Sequence, residues 1–234
     1  MLTQTEAISV CLISRCYIYK LLRRLFGEEP TLELLYTVIN DHTKNVFSII
    51  LDENQTGKMI SFLTNFMEEL SKNEETTLDR LKGEYTRLMI GPGELYAPPW
   101  ESVYTHDDGT IFQESMLPVR RAYFARNLRP VNFPHDADDH VALELDFMAV
   151  LSGLLHDCFE QHSAGGSTGE IERIMSDQKD FLEKHLLKWL PEYSNRMQAF
   201  GKSLFYQELT KLTCTFLEAD AAFLDDFITS EQMM

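Results

Sequence analysis

Four acids and a histidine crowd the segment Asp136-Ala137-Asp138-Asp139-His140 and its continuation to Glu144. A carboxylate beside an imidazole is the equipment of a general acid/base pair, so Asp139 and His140 are candidates for proton transfer. His140 and Glu144 stand four apart, which puts them on one face of a helix. That face could offer two ligands to a metal, but no third ligand stands nearby and no HExxH motif occurs. The same acids also suit a helix start, where a carboxylate accepts free backbone N–H groups and meets the positive end of the dipole. Both readings stand at this point. Glu144, one turn further in, is expected as a buried or half-buried partner of a cation or hydroxyl.

A second segment, Gly83–Tyr104, packs Gly91, Pro92, Gly93, Pro98 and Pro99 into nine positions. Tyr85 and Leu88 precede this run; Trp100 and Tyr104 follow it. Aromatic faces on a stiff loop suit capture of an extended peptide, because little conformational freedom is lost on binding. The same rings could instead pin a long loop to the core. Taken together, the two segments suggest a groove with acids and a histidine at its edge.

Helical periodicity must supply the elements that position these residues. Apolar positions recur at spacings of three and four over 5–26, with Gly27 as a stop and Pro30 close behind. Thr31 fits the cap of a second helix, and further helices are expected over 45–51 and 55–70. Thr76 or Thr77 should cap a helix running to about Ile90. Residues 91–99 must be irregular, because proline disfavours helix at the residue before it. A small turn is expected around Asp107-Asp108-Gly109, and a helix over 113–127 kinked near Pro118. Asp138 or Asp139 should cap a helix to about His162. Helices over 170–190, ended by Pro191, then 193–200 and 203–226, complete the chain. No strand alternation or repeat intervenes, so the fold class is all-α, an irregular bundle of about ten helices. The organisation expected is an N-terminal helical part, 1–162, and a flexible linker or hinge, 163–169 (SAGGSTG). A C-terminal part, 170–234, packs on the first, and one compact domain is equally compatible. A monomer and a dimer swapped at that hinge both fit.

Composition narrows the function. The 234 residues are 44% hydrophobic, enough for a sizeable core. A net charge of −16 argues against a phosphate-backbone binder, so no nucleic-acid partner is expected. It suits solubility or a cationic partner. The four cysteines have no metal-type spacing and read as small buried hydrophobes in a reducing compartment. No targeting segment or membrane-length apolar run is evident, so a cytoplasmic protein without stable membrane insertion is expected. Arg23-Arg24-Leu25-Phe26 follows an apolar stretch where a twin-arginine export signal would precede one. No nucleophile elbow or phosphate loop occurs, and the glycines of 165–169 lack a following Lys-Ser/Thr.

Three motifs carry a resemblance: E-Y-x-x-L-x-x-G-P-G at Glu84–Gly93, P-P-W-E-S-V-Y at Pro98–Tyr104, and D-D-H-x-x-x-E-L-x-F-M at Asp138–Met148. They resemble the TorD/DmsD family of cytoplasmic molybdoenzyme chaperones. The N-terminal helix, Trp189-Leu190-Pro191 and Phe205-Tyr206-Gln207 extend the likeness over most of the chain. The resemblance implies a helical chaperone with no catalytic residues, metal or cofactor of its own. Such a protein binds the twin-arginine signal peptide and apo form of a molybdopterin oxidoreductase of the DMSO/TMAO reductase type. It assists cofactor insertion and delays export until folding is complete. The Tat translocase and cofactor-synthesis proteins are the further partners it implies. Tyr85, Leu88, Pro99, Trp100, Tyr104, Asp139 and His140 fall on positions the family associates with the peptide pocket. Glu144 matches the family's motif acid, and Glu101, Ser102 and Asp138 stand in the same motifs. On this reading Trp100 and Tyr104 receive apolar residues and stacked arginines, while Asp138, Asp139 and Glu144 meet the guanidinium groups. Met89, Tyr104 and Ala137 depart from the pattern and put the client's identity in doubt. Two other readings compete. One is a metal- or nucleotide-dependent hydrolase using Asp139 and His140. The other is a chaperone of a non-exported nitrate-reductase-type enzyme.

Overall fold

The first five helices each begin where a short polar side chain takes a backbone N–H that the helix itself leaves unpaired. The computed structural model describes residues 3–91, 95–105, 116–131, 137–163, 169–200 and 203–231. Thr3 caps α1 (Gln4–Gly27) in a capping box with Glu6. Thr31 caps α2 (Leu32–Ile39), as expected. Asn40 caps α3 (Asp41–Ile50), so this helix starts ahead of the expected residue 45. Asp52 and Gln55 form a second capping box on α4 (Glu53–Lys72). α5 (Glu74–Tyr85) is capped by Asn73, whose side chain accepts from Thr76 N–H; Thr76 and Thr77 are not the cap. A wide π turn, Thr86–Ile90, continues α5 to Gly91, whose φ of 64° suits a residue without Cβ.

The remaining helices are α6 (Ser102–Thr105), α7 (Leu117–Ala125), α8 (Val141–Ser163), α9 (Gly169–Phe181), α10 (Leu187–Phe200) and α11 (Leu204–Glu231). A second wide turn, Leu182–Leu186, joins α9 to α10. The all-α expectation is borne out. Two prolines behave differently from their expected roles. Pro118 starts α7 instead of kinking it, since the first helical turn needs no N–H from that residue. Pro191 lies inside α10 instead of ending its predecessor. It follows the wide turn directly, where the hydrogen-bond ladder already departs from the regular α pattern. The turn expected around 107–109 and most of the 163–169 linker lie outside the described residues.

The most extensive helix pairing joins α1 to α8, antiparallel, through small residues. A Cβ on Gly27 would lie 2.8 Å from Ala142 Cβ, so only glycine lets the end of α1 reach the start of α8. Further along, Cys16 Sγ lies 3.6 Å from Ala149 O. One apolar cluster then runs from Leu12 through Leu145 and Trp189 to Phe227. Cys16 is buried, but Cys11, Cys158 and Cys214 are only partly so, and all four are free thiols. Cys11 falls beside the inward stripe of Leu12, Cys16 and Tyr19, which explains its exposure. No helix among the described residues is long and apolar enough to cross a membrane.

A buried ionic knot crosses this core. Arg15 pairs with Asp220 through two contacts, one of 3.0 Å, and reaches Gln178 at 2.5 Å; Tyr19 OH donates to Asp220 at 2.6 Å. Arg15 and Asp220 are wholly buried, so removing one leaves the other as an uncompensated interior charge. Asp220→Ala is expected to lower unfolding free energy by about 3–5 kcal/mol in urea titrations.

Candidate functional site

The loop after Gly91 returns to the bundle by pairing its backbone with the start of α8. Glu101 N–H donates to Asp139 O at 3.0 Å, and Val141 N–H donates to Pro99 O at 2.9 Å. These two bonds form an antiparallel bridge with Trp100 opposite His140. Asp139 then accepts from Ser102 N–H at 2.8 Å. The acid expected to cap α8 therefore caps α6 instead. α8 is started by His140, whose Nδ1 accepts from Ala142 N–H at 3.1 Å and whose carbonyl accepts from Leu143 and Glu144 N–H. Asp138 is no cap either: its carboxylate pairs with Arg120 of α7, and its carbonyl accepts from Tyr123 OH at 2.9 Å.

Behind the bridge lies an unusual concentration of buried acid. Glu101 is 6% exposed, Asp139 1% and Glu144 0%. A hydrogen bond of 2.9 Å joins Glu101 to His185 Nδ1 on the second wide turn. Trp189 Nε1 donates to Glu144 at 3.1 Å. Burial, and then the charge of Glu101, hold the Glu144 pKa well above the usual carboxylate range. Burial also raises Asp139, against the lowering effect of Ser102, whose N–H it accepts. Ser102 Oγ, Tyr104 OH, Asp138 Oδ1 and Asp139 Oδ1 are buried without a hydrogen-bond partner among the described residues. Each such atom costs about 1–3 kcal/mol.

The structure thus separates the residues singled out from sequence into two groups. Tyr85, Leu88 and Pro99 are buried and belong to the packing. Glu101, Ser102, Asp138, Asp139 and Glu144 are buried as well, engaged by internal partners and not lining an open edge. Trp100, Tyr104 and His140 remain half-buried. The Trp100 and His140 rings meet edge-on, 5.4 Å apart. Tyr104 stacks on Trp189 at 5.3 Å, and Arg196 lies over its ring at 4.4 Å. The protein's own Arg196 therefore occupies the place over Tyr104 given to a client arginine. Asp139 and His140 are not bonded to each other, so they form no acid/base pair in this structure. No cluster suited to a metal occurs among the described residues. Arg120, His185, Trp189 and Arg196 complete the site without having been singled out. Trp189 alone carried a signal, as part of the Trp-Leu-Pro motif.

Residues 52–195, which include the three motif segments and Trp189-Leu190-Pro191, match the family model described as nitrate reductase delta subunit. The chain belongs to that family. It is also similar to curated proteins named Chaperone protein TorD. The one from Vibrio cholerae serotype O1 is 25% identical over 214 residues, covering 92% of this chain and 93% of the relative. Those from Aliivibrio salmonicida and Vibrio atlanticus are 24% and 26% identical, each covering 90% of this chain and 94% of the relative. The sequence resemblance to TorD-like proteins is thereby borne out.

An acid whose pKa is raised in the fold holds its proton longer there than in the unfolded chain. Its contribution to stability therefore falls as pH rises above its ordinary value, 4.5 for Glu144. Glu144→Gln keeps an acceptor for Trp189 and removes that proton linkage. In thermal unfolding at several pH values from about 5 to about 8, the wild type is expected to lose Tm relative to the variant as pH rises.

Proposed function

We propose that the protein is a cytoplasmic, non-enzymatic chaperone in molybdoenzyme maturation. It binds the twin-arginine signal peptide and apo form of a molybdopterin oxidoreductase, assists cofactor insertion and delays export. The observation that carries this reading is the similarity to proteins named Chaperone protein TorD over nine-tenths of both chains. The site supports it in two ways. Trp100 and His140 stand half-open on a backbone bridge that fixes their positions, which limits the entropy lost when a peptide binds. A net charge of −16 would draw a cationic leader and make the encounter sensitive to salt. The peptide's contacts would include Trp100, Tyr104 and His140. Asp138, Asp139, Glu101 and Glu144 would act from behind, by holding the loop. The Tat translocase and cofactor-synthesis proteins are further partners on this reading.

The family description, nitrate reductase delta subunit, favours one second reading: a chaperone of a non-exported enzyme. The two readings separate experimentally. A synthetic peptide with a twin-arginine motif and apolar tail is expected to bind, with affinity falling as salt rises. Trp100→Ala should weaken binding about tenfold, the order expected for a buried aromatic anchor. Binding to a whole apo-subunit with no binding to the leader would select the nitrate-reductase-type client. Isothermal titration against both ligands is the measurement.

A further inference from the structure

The spacing of Trp189, Tyr193 and Arg196 sets an indole, a phenol and a guanidinium on one face of α10, at intervals of four and three. All three converge on Tyr104 of α6. Trp189 stacks on the Tyr104 ring at 5.3 Å with the planes 29° apart, and Tyr193 meets it edge-on at 6.1 Å. Arg196 Cζ lies 4.4 Å from the centroid of the same ring. Trp189 and Tyr193 are wholly buried, so their part in this arrangement is core packing.

Arg196 is placed differently. Its side chain is 38% exposed, and its ion-pair partner Glu192, at 3.4 Å and one turn back on α10, is 55% exposed. An exposed pair at this spacing contributes little to stability. Arg126, by contrast, is 13% exposed and held by both Glu170 and Asp177. Arg196 can therefore leave the ring at small cost to the fold. The place it would leave is built for a guanidinium. A planar guanidinium stacks on an aromatic ring in a way that a compact ammonium does not, and Glu192 supplies the counter-charge beside it.

We propose that Arg196 is a tethered occupant of a client arginine's site: it sits over Tyr104 when no client is bound and yields that place to an arginine of the client's leader. This rests on the reading of the chain as a leader-binding chaperone and adds a built-in competitor to it. The displacing group is identified by the guanidinium already seated over the ring. Because it is tethered, Arg196 competes at a high effective concentration. The affinity for a leader is then reduced by the fraction of time for which the ring is free. A leader that offers lysine in place of arginine lacks the planar group and displaces Arg196 poorly. The tether thus sharpens the choice of arginine without opening the buried acid cluster.

The probes are two fluorescent synthetic peptides read by anisotropy, one with an Arg-Arg pair ahead of a Leu/Ala-rich run and one with Lys-Lys in its place. Thermal unfolding of each variant runs alongside. Arg196→Gln is expected to bind the Arg-Arg peptide about three- to tenfold tighter than wild type, as follows when the ring is free about a third to a tenth of the time. The Lys-Lys peptide should gain less. Arg173→Gln removes the same charge from an exposed place on α9 and should leave both affinities within about twofold of wild type. In a Tyr104→Leu background the gain from Arg196→Gln should vanish, because both side chains act through one contact. The comparison of the two peptides stands without that background if Tyr104→Leu fails to fold. Equal gains for the two peptides, or the same gain from Arg173→Gln, would mean simple relief of charge and would overturn the proposal. Unchanged or weaker binding of the Arg-Arg peptide by Arg196→Gln, with the wild type still binding, would overturn it too and leave the chaperone reading standing. Absence of binding by both wild type and Arg196→Gln would overturn the two together.

Discussion

Two backbone hydrogen bonds, from Glu101 to Asp139 and from Val141 to Pro99, fix the Pro99–Glu101 segment against Asp139–Val141 and set Trp100 opposite His140. They turn a proline-rich loop into a fixed strand-like contact against the start of α8. Pro99 fits here because the bridge uses its carbonyl and asks nothing of the N–H it lacks. The bridge needs α8 to start in one place, and α1 determines that place. Gly27 lets α1 approach Ala142, one residue past the bridge, more closely than any residue with a Cβ would allow. Gly27 thus bears on the placement of the Trp100 and His140 rings, which lie far from it in sequence.

The bridge also forces an expensive choice. Once the loop is seated, Glu101, Asp139 and Glu144 are all interior. Three ionised carboxylates in one apolar region would repel one another and lose their hydration. The fold offsets this by keeping Glu144 protonated well above the usual range and by supplying Ser102 N–H, His185 and Trp189 as partners. Several polar atoms still find no partner among the described residues. The acids are therefore poorly placed to receive a guanidinium in this conformation, since a client arginine would first have to displace an internal partner. Their chemistry is that of a lock on the loop.

The difference between what was legible in the sequence and what was not follows from the range of the interactions. Thr31 as a cap and the all-α class depend on neighbours within a few residues, and the chain displays them directly; Gly27 was legible as the end of α1 but not as the close contact with Ala142. The capping acid at 139 was legible as a cap but not as the cap of α6, because its partner Ser102 lies 37 residues away. His185 gave no signal, since a lone histidine on a wide turn follows no period. Pro191 looked like a stop because the preceding departure from α geometry at 182–186 cannot be read from composition. The aromatic pair Trp100 and His140 was legible as a site only through motifs that coincide; neither segment alone distinguishes recognition from packing.

These facts divide the labour of the molecule differently from the motif pattern. Residues most recognisable in the sequence are largely those that build the bridge and its acid lock, and burial leaves few of them a surface to offer. The α1–α8 pairing and the Arg15–Asp220 knot hold the bundle on which that loop is seated.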